Sequence, residues 1–224
     1  MFACIAPRYD LANRLLSMGL DQRWRAALIE ALPSLEPGQR LLDLCTGTGD
    51  VAMALRAAAP DGVAVFGSDF CEPMVALAPP KSEGSPGPAP AYLVADALQL
   101  PFSVGSFRAL SVAFGLRNVE DPAAALGEAA RVLSVGGRLL VLEFSRPTLP
   151  IFSSCYRFYV FHILPWLGGL LSGSREAYAY LPESVWAWPE PAALAGVMQD
   201  AGFRVLRQRP FLGGAVVLHV AERC

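Results

Sequence analysis

A surplus of basic residues is missing from this sequence: 18 lysines and arginines stand against 20 aspartates and glutamates in 224 residues, a formal net charge of -2. So balanced a chain carries no electrostatic footprint for a phosphate backbone, and no nucleic-acid partner is expected. Cysteine is sparse and shows no pairing pattern. Cys4, Cys45, Cys71, Cys155 and Cys224 are odd in number, contain no Cys-x-x-Cys pair and are joined by only two histidines. Neither a disulfide framework nor a metal site is indicated, which suits a reduced, cytoplasmic protein. Met1 is followed by no basic segment with a long apolar run behind it, so no cleaved leader is expected. No apolar run is long enough to span a bilayer, and no Walker-type Gly-Lys-Ser or Gly-Lys-Thr is present to hold a triphosphate.

What the chain does have is apolar bulk. Hydrophobic residues make up 54% and charged residues 17%, with a mean hydropathy of +0.39. That is enough to bury the core of one domain and leaves a question of where the remaining apolar surface goes.

The organising stretch is Arg-Leu-Leu-Asp-Leu-Cys-Thr-Gly-Thr-Gly-Asp, residues 40–50. An apolar run carrying Asp43 and breaking into Thr46-Gly47-Thr48-Gly49 reads as a buried strand entering a tight turn before a helix. Backbone N–H groups at such a turn can approach a ligand closely. The turn is not a clean Gly-x-Gly-x-x-Gly, which weakens a nicotinamide dinucleotide reading.

Around this stretch the periodicity predicts two helices between Tyr9 and Leu32 broken at Gly19, a helix from Asp50 to Ala59, and a strand from Val63 to Ser68. A short helix from Glu72 to Ala78 should lead into a Pro/Gly/Ser-rich mobile loop, Pro79 to Pro90. Strands follow at Ala91–Val94, Ala109–Phe114 and Arg138–Glu143, with a helix from Pro122 to Leu133. After a helix from Pro191 to Ala201, runs at Arg204–Arg209 and Ala215–Ala221 joined through Gly213-Gly214 should form an antiparallel hairpin. The alternation predicts an α/β fold with a mostly parallel sheet covered on both faces. Residues 144–180 interrupt it with many aromatics and read as an apolar inserted lid suited to a greasy ligand.

Four features fall at the carboxyl ends of predicted strands, where open parallel sheets bind ligands. They are the glycine turn, Asp69, the pair Asp96-Ala97, and Phe114 to Asn118. Asp69 can accept from both ribose hydroxyls of a nucleoside, and Asp96 from an adenine amine, with Ala97 offering a backbone N–H. Joined in this order they resemble the S-adenosylmethionine site of the Rossmann-like class I methyltransferases, whose seven-stranded sheet ends in an antiparallel hairpin. A narrower resemblance follows. Tyr9-Asp10-Leu11-Ala12-Asn13 with Ser17, Gly19 and Trp24, the stretch Phe114 to Asn118, and Arg131-Val132-Leu133 with Gly136-Gly137 and Leu142 to Ser145 are similar to signatures of the ubiquinone/menaquinone biosynthesis C-methyltransferases. Phe161 to Pro165 and Tyr178 to Glu183 extend the likeness over most of the chain. Departures are Ser134-Val135 before the glycine pair, Ala113 in place of a serine, and the Pro79–Pro90 loop.

The resemblance implies S-adenosylmethionine as cofactor, held by Asp43, Thr46, Gly47, Thr48, Gly49, Asp69, Asp96, Ala97 and Ala113. It further implies C-methylation of a polyprenylated quinol, demethylmenaquinol or the equivalent ubiquinone precursor. Arg117 with Asn118 is the candidate for favouring the phenolate, although a guanidinium is a poor direct base; it could instead only anchor its loop. His162 is a candidate base or a packed residue, and Tyr178 and Tyr180 are candidate substrate contacts or cavity wall. Asp10 and Asn13 are expected to tie the first helix over the cofactor, Asp50 to start a helix, and Cys45 to be a small buried neighbour. An O- or N-methyltransferase for another apolar acceptor, and a non-catalytic lipid-binding subunit, stay open. The expected division is a helical cap at residues 1–36, a cofactor-binding core at 37–143, a lid at 144–182, and a terminal helix and hairpin at 183–224. Peripheral membrane contact through the lid, and a homodimer or a quinone-synthesis complex, are the expected associations.

Overall fold

The computed structural model describes residues 9–82, 87–148, 150–172 and 175–224. Seven strands, β1 (Arg40–Leu44), β2 (Ala64–Asp69), β3 (Ala91–Val94), β4 (Phe107–Ala113), β5 (Leu133–Phe144), β6 (Phe203–Phe211) and β7 (Val216–Arg223), form one sheet in the order β3-β2-β1-β4-β5-β7-β6. The first five run parallel, and β7 is antiparallel to both β5 and β6. This is the expected fold: a Rossmann-like sheet closed by an antiparallel hairpin.

Strand side chains divide by the period of two that the pleat imposes. Leu42, Leu110, Val112, Leu139 and Val141 belong to one core layer. Leu41, Ala109, Leu140, Leu142 and Leu218 belong to the other. Both faces are covered, which is why β1, β4 and β5 read as nearly continuous apolar runs. Helix α6 (Pro122–Val132) packs on the first face; Asp121 caps it by accepting from the Ala124 N–H at 3.0 Å, and Pro122 supplies a first-turn residue with no N–H to satisfy. Helix α10 (Pro191–Asp200) lies on the same side through Leu194 and Met198. Helices α2 (Leu20–Glu30) and α3 (Asp50–Ala58) cover the other side through Trp24, Leu28, Ala52 and Leu55.

Helix α1 (Tyr9–Leu16) is separated from α2 by Met18 and Gly19, both at positive φ. Strand ends shift by a residue or two from expectation, and two regions differ by more. Helix α4 (Glu72–Val75) stops early, and a further helix α5 (Ala78–Ser82) lies inside the stretch expected to be loop. Pro79 and Pro80 sit in the first turn of α5, where a missing N–H costs no hydrogen bond. Residues 83–86 of that expected loop lie outside the described residues. Strand β5 starts at Leu133 rather than Arg138, because the chain is already extended there and Gly136, at φ +72°, lets it continue through an irregular register.

The lid is helical. Helix α7 (Pro150–Phe158) passes through a π-helical turn at Tyr159–Ile163 into α8 (Leu164–Ser172), followed by α9 (Arg175–Ala187). Pro165 sits just past the wide turn, where a proline's missing donor is readily tolerated. Because α9 runs to Ala187, the expected boundary at residue 182 falls inside a helix. Among the described residues no helix is long and apolar enough to cross a membrane.

Candidate active site

The turn after β1 is held to its own strand and to β2, and its Asp43 to β4, by hydrogen bonds. The Thr46 N–H donates to the Ser68 carbonyl at 3.0 Å, locking the turn to β2. Its hydroxyl donates to Asp43 at 2.6 Å, and the Ser111 hydroxyl donates to the other Asp43 oxygen at 2.7 Å. Asp43 is fully buried, and burial pushes its carboxyl up to about 7 despite those two donors. Gly49 is at φ +86°, and a Cβ there would stand 2.7 Å from the Tyr92 hydroxyl, so only glycine lets the chain enter α3 at this point.

At the end of β2 the Asp69 carboxylate takes the Gly47 N–H at 2.8 Å on one oxygen and the Cys71 N–H at 2.9 Å on the other. Burial nonetheless raises its pKa above the ordinary carboxylate value. Asp96 accepts from the Leu98 N–H at 2.9 Å, and Ala97 beside it is buried. These ends enclose a cavity of about 340 Å³, bounded by Asp69, Phe70, Met74, Asp96, Ala97 and Asn118 among others. A second cavity of about 420 Å³ lies under the lid and reaches back to Asp43, Thr46 and Thr48. Cys45, Gly47, Ala113 and Phe114 line both. Gly49 lines neither; its part is the turn itself.

The seam between the cavities is conformationally special. Cys45 and Phe114, neither of them glycine, sit at φ 55° and 57°. Left-handed backbone at such residues concentrates where function requires it. The two loops touch, since a Cβ on Gly115 would lie 2.3 Å from the Cys45 Cβ. Burial pushes the Cys45 thiol far up, so it is an inert neighbour rather than a nucleophile. Phe114 is held by its N–H donating to the Leu142 carbonyl at 2.8 Å and by its own carbonyl accepting from Arg117 Nη1 at 2.7 Å and from Asn118 at 3.3 Å.

Arg117 is anchored by a partner the sequence pattern did not single out. Its Nη1 meets Glu143 Oε2 at 2.9 Å and Oε1 at 3.2 Å, and its Nε reaches the Ser184 hydroxyl of α9 at 3.4 Å. Its guanidinium carbon lies 5.1 Å from the centre of the Phe144 ring. Glu143, fully buried, also accepts the Phe144 N–H at 2.9 Å. The Nη2 of Arg117 makes no hydrogen bond among the described residues, and Arg117 lines the lid cavity. Glu143 carried a readable signal, an acidic residue near the carboxyl end of a buried strand, the same one that marks Asp43 and Asp69.

The lid cavity is aromatic on both walls. On the sheet side Phe114 lies 5.8 Å from Trp24 and 4.6 Å from Phe144, centre to centre; on the lid side Tyr156 is stacked with Phe152 at 6.0 Å and Trp186 at 6.4 Å. Phe152, Tyr156, Val160 and Leu164 recur every four residues, a stripe in the sequence that marks this wall. Tyr180 lies at the rim, 38% exposed. The Tyr178 side chain is outside those described. His162 is not brought to the site: it is exposed, packs against Phe158 at 5.0 Å and lines neither cavity, because it lies two residues from the inward-facing Val160 and so on the opposite side of the helix.

Over the turn lies a chain of charges. Lys81, the single lysine of the sequence, donates to Asp10 at 2.5 Å, to the Thr48 hydroxyl at 3.2 Å and to Asp50. Thr48 donates to the other Asp10 oxygen at 2.6 Å. Arg25 bridges Asp50 and Asp21. These two cations hold Asp50 below the ordinary carboxylate range against the opposing effect of burial. Asp10 thus ties α1 over the turn, and Asp50 carries more than a helix start.

The chain matches the sequence profile of the ubiE/COQ5 methyltransferase family over residues 1–223. It is 51% identical over 223 residues to the demethylmenaquinone methyltransferase of Thermus thermophilus, with 100% of both chains covered. It is 46% identical over 224 residues to the demethylmenaquinone methyltransferase of Deinococcus radiodurans, covering 100% of this chain and 91% of that one. Among solved structures it is similar to a SAM dependent methyltransferase from Aquifex aeolicus, at a TM-score of 0.65 and 19% identity over 90% of this chain and 89% of that one.

Proposed function

Because the chain belongs to the ubiE/COQ5 methyltransferase family, we propose that its two cavities hold methyl donor and demethylquinol on either side of the Cys45–Phe114 seam. The protein is an S-adenosylmethionine-dependent C-methyltransferase of quinone biosynthesis. The residues present fit that donor. The smaller cavity offers the Asp69 and Asp96 carboxylates for a ribose and an adenine edge, with Phe70 and Met74 as apolar faces. Across the seam, where the lid cavity reaches the turn, Asp43 offers a carboxyl to a cationic methionyl group, beside Asp10 and Asp50, which are paired with Lys81 and Arg25. Bound there, S-adenosylmethionine supplies an electrophilic methyl on a sulfonium.

The observation that carries the reading is the shared seam: a polar nucleoside pocket and an apolar aromatic one open onto the same four residues. Cys45, Gly47, Ala113 and Phe114 leave only small groups and one ring between them, so a ring carbon can be lined up behind the methyl. The Arg117 cation, fixed by Glu143, favours ionisation of the neighbouring quinol hydroxyl, which makes that carbon nucleophilic. The walls of the lid cavity exclude water from the line of transfer.

The acceptor we assign is a polyprenyl naphthoquinol, demethylmenaquinol, in keeping with the names of the two relatives. Labelled S-adenosylmethionine incubated with reduced demethylmenaquinol should give a base-stable, carbon-bound methyl. Folded protein that binds the donor yet labels no reduced quinol overturns the assignment, and label on oxygen or nitrogen points to another acceptor.

A polyprenyl tail brings the cavity mouth to a lipid surface. Phe158 and Trp166 are 61% and 60% exposed on the lid, and Leu11, Leu15 and Met18 are exposed on the amino-terminal helices. These support a peripheral apolar contact. Flotation with neutral liposomes should persist at high salt, and strong salt dependence would contradict an apolar contact.

A further inference from the structure

The lid cavity has tyrosine hydroxyls in three different situations. The Tyr159 hydroxyl is committed, donating to the Leu16 carbonyl at 3.1 Å. Tyr180 sits at the exposed rim. Tyr156 is largely enclosed, its ring stacked between Phe152 and Trp186, and its hydroxyl has no hydrogen-bond partner among the described residues. Enclosed tyrosine hydroxyls ordinarily find a partner. Here the ring is fixed by two stacking neighbours and the polar tip is left open on the aromatic lid side of the cavity, whose charged residues lie at the turn and at Arg117.

We propose that Tyr156 orients the acceptor by hydrogen-bonding a ring hydroxyl of the quinol from the lid side, across the cavity from Arg117. This rests on the reading of the lid cavity as the quinol site. A quinol presents two oxygens at opposite ends of a flat ring, and a flat ring between the Trp24–Phe114–Phe144 wall and the Phe152–Tyr156–Trp186 wall still has freedom to rotate in its plane. An apolar slot cannot fix that rotation. One hydroxyl held by Tyr156 removes it and sets which ring carbon meets the seam. Burial also pushes the Tyr156 phenol up to about 12, so it stays a neutral donor and does not compete as a base.

The test separates the hydroxyl from the ring. Tyr156→Phe keeps both stacking contacts, and affinity is followed by tryptophan fluorescence for two probes, 1,4-dihydroxynaphthalene under reducing conditions and naphthalene. Wild-type protein should prefer the dihydroxy probe. The variant should lose about tenfold for that probe, the worth of one neutral hydrogen bond of about 1.4 kcal/mol, and nothing for naphthalene. Equal loss for both probes, no loss for either, or a wild type indifferent to the hydroxyls overturns the proposal. Turnover is read separately: if wild-type protein methylates no reduced demethylmenaquinol while the hydroxyl-specific loss persists, the assigned acceptor fails and the role of Tyr156 stands.

Discussion

The two cavities are made by different means. The cofactor side is set by backbone donors: the Gly47 and Cys71 N–H groups fix Asp69, and the Leu98 N–H fixes Asp96. The lid side is written in side chains drawn from α2, the ends of β4 and β5, α7 and α9, with ring-to-ring contacts and few hydrogen bonds. A backbone site is shaped by strand register and changes little when surfaces change. A side-chain site can be recut one residue at a time, so the first suits a common donor and the second a particular acceptor. Arg117 and Glu143 brace the seam between them, because Arg117 donates to the Phe114 carbonyl and ties the turn after β4 to the end of β5 and to Ser184 of the lid.

If that division is sound, the largest effect comes from striking the junction. Glu143→Ala leaves the Arg117 guanidinium, whose side chain is 7% exposed, without its counter-charge. The expected cost is about 3–5 kcal/mol, read as a lower urea midpoint, with both cavities weakened together. A loss under about 1 kcal/mol would mean that the pair is dispensable and the two halves are independent.

Asp69→Ala strikes the backbone half alone. Removing a charged acceptor of ligand hydroxyls should weaken S-adenosylmethionine by roughly 10- to 100-fold in calorimetry, while 1,4-dihydroxynaphthalene binds the lid cavity as before. Equal weakening of both ligands would erase the distinction, and unchanged donor affinity would remove Asp69 from the ribose site.

A subtler comparison uses pH. The Asp43 carboxyl is raised from 3.8 to about 7 by burial. Its protonated form is therefore favoured by folding, so its contribution to stability is complete below the unfolded value and is lost as pH rises through about 7. A cation bound beside it favours the ionised form, so donor binding near pH 6 should release up to about one proton. Calorimetry in buffers of different ionisation enthalpy measures this. Asp43→Asn should abolish the release and should gain stability relative to wild type from pH 5 to pH 8. Release that survives in the variant would assign the proton elsewhere.

The same division explains what could be read from the sequence. Asp43, the glycine turn, Asp69 and Asp96-Ala97 are each marked by a short local pattern at a strand end, and the sheet and hairpin follow from the alternation of runs. The lid wall depends on which face of α7 turns inward, and with aromatics on several faces of residues 144–180 no local pattern alone declares it. His162 therefore lies outside the cavity its chemistry suggests, and Tyr156, one aromatic among several in the lid, lies inside it. Glu143 carries the same strand-end mark as Asp43 and Asp69, but its partner Arg117 lies 26 positions away in sequence, so the pairing is not local. Lys81 fell in a stretch whose prolines suggested loop, where they instead open a helix.

That lysine has a practical consequence. It is the only ε-amine in the chain, and it sits where α1, the glycine turn and α3 are drawn together. An amine-directed acylating reagent therefore finds one internal target, and a mass increment on the peptide holding Lys81 reports how fully its amine is engaged by Asp10, Thr48 and Asp50. A ligand that tightens this junction slows the labelling and one that loosens it speeds it, so the state of the junction can be followed in the unaltered protein.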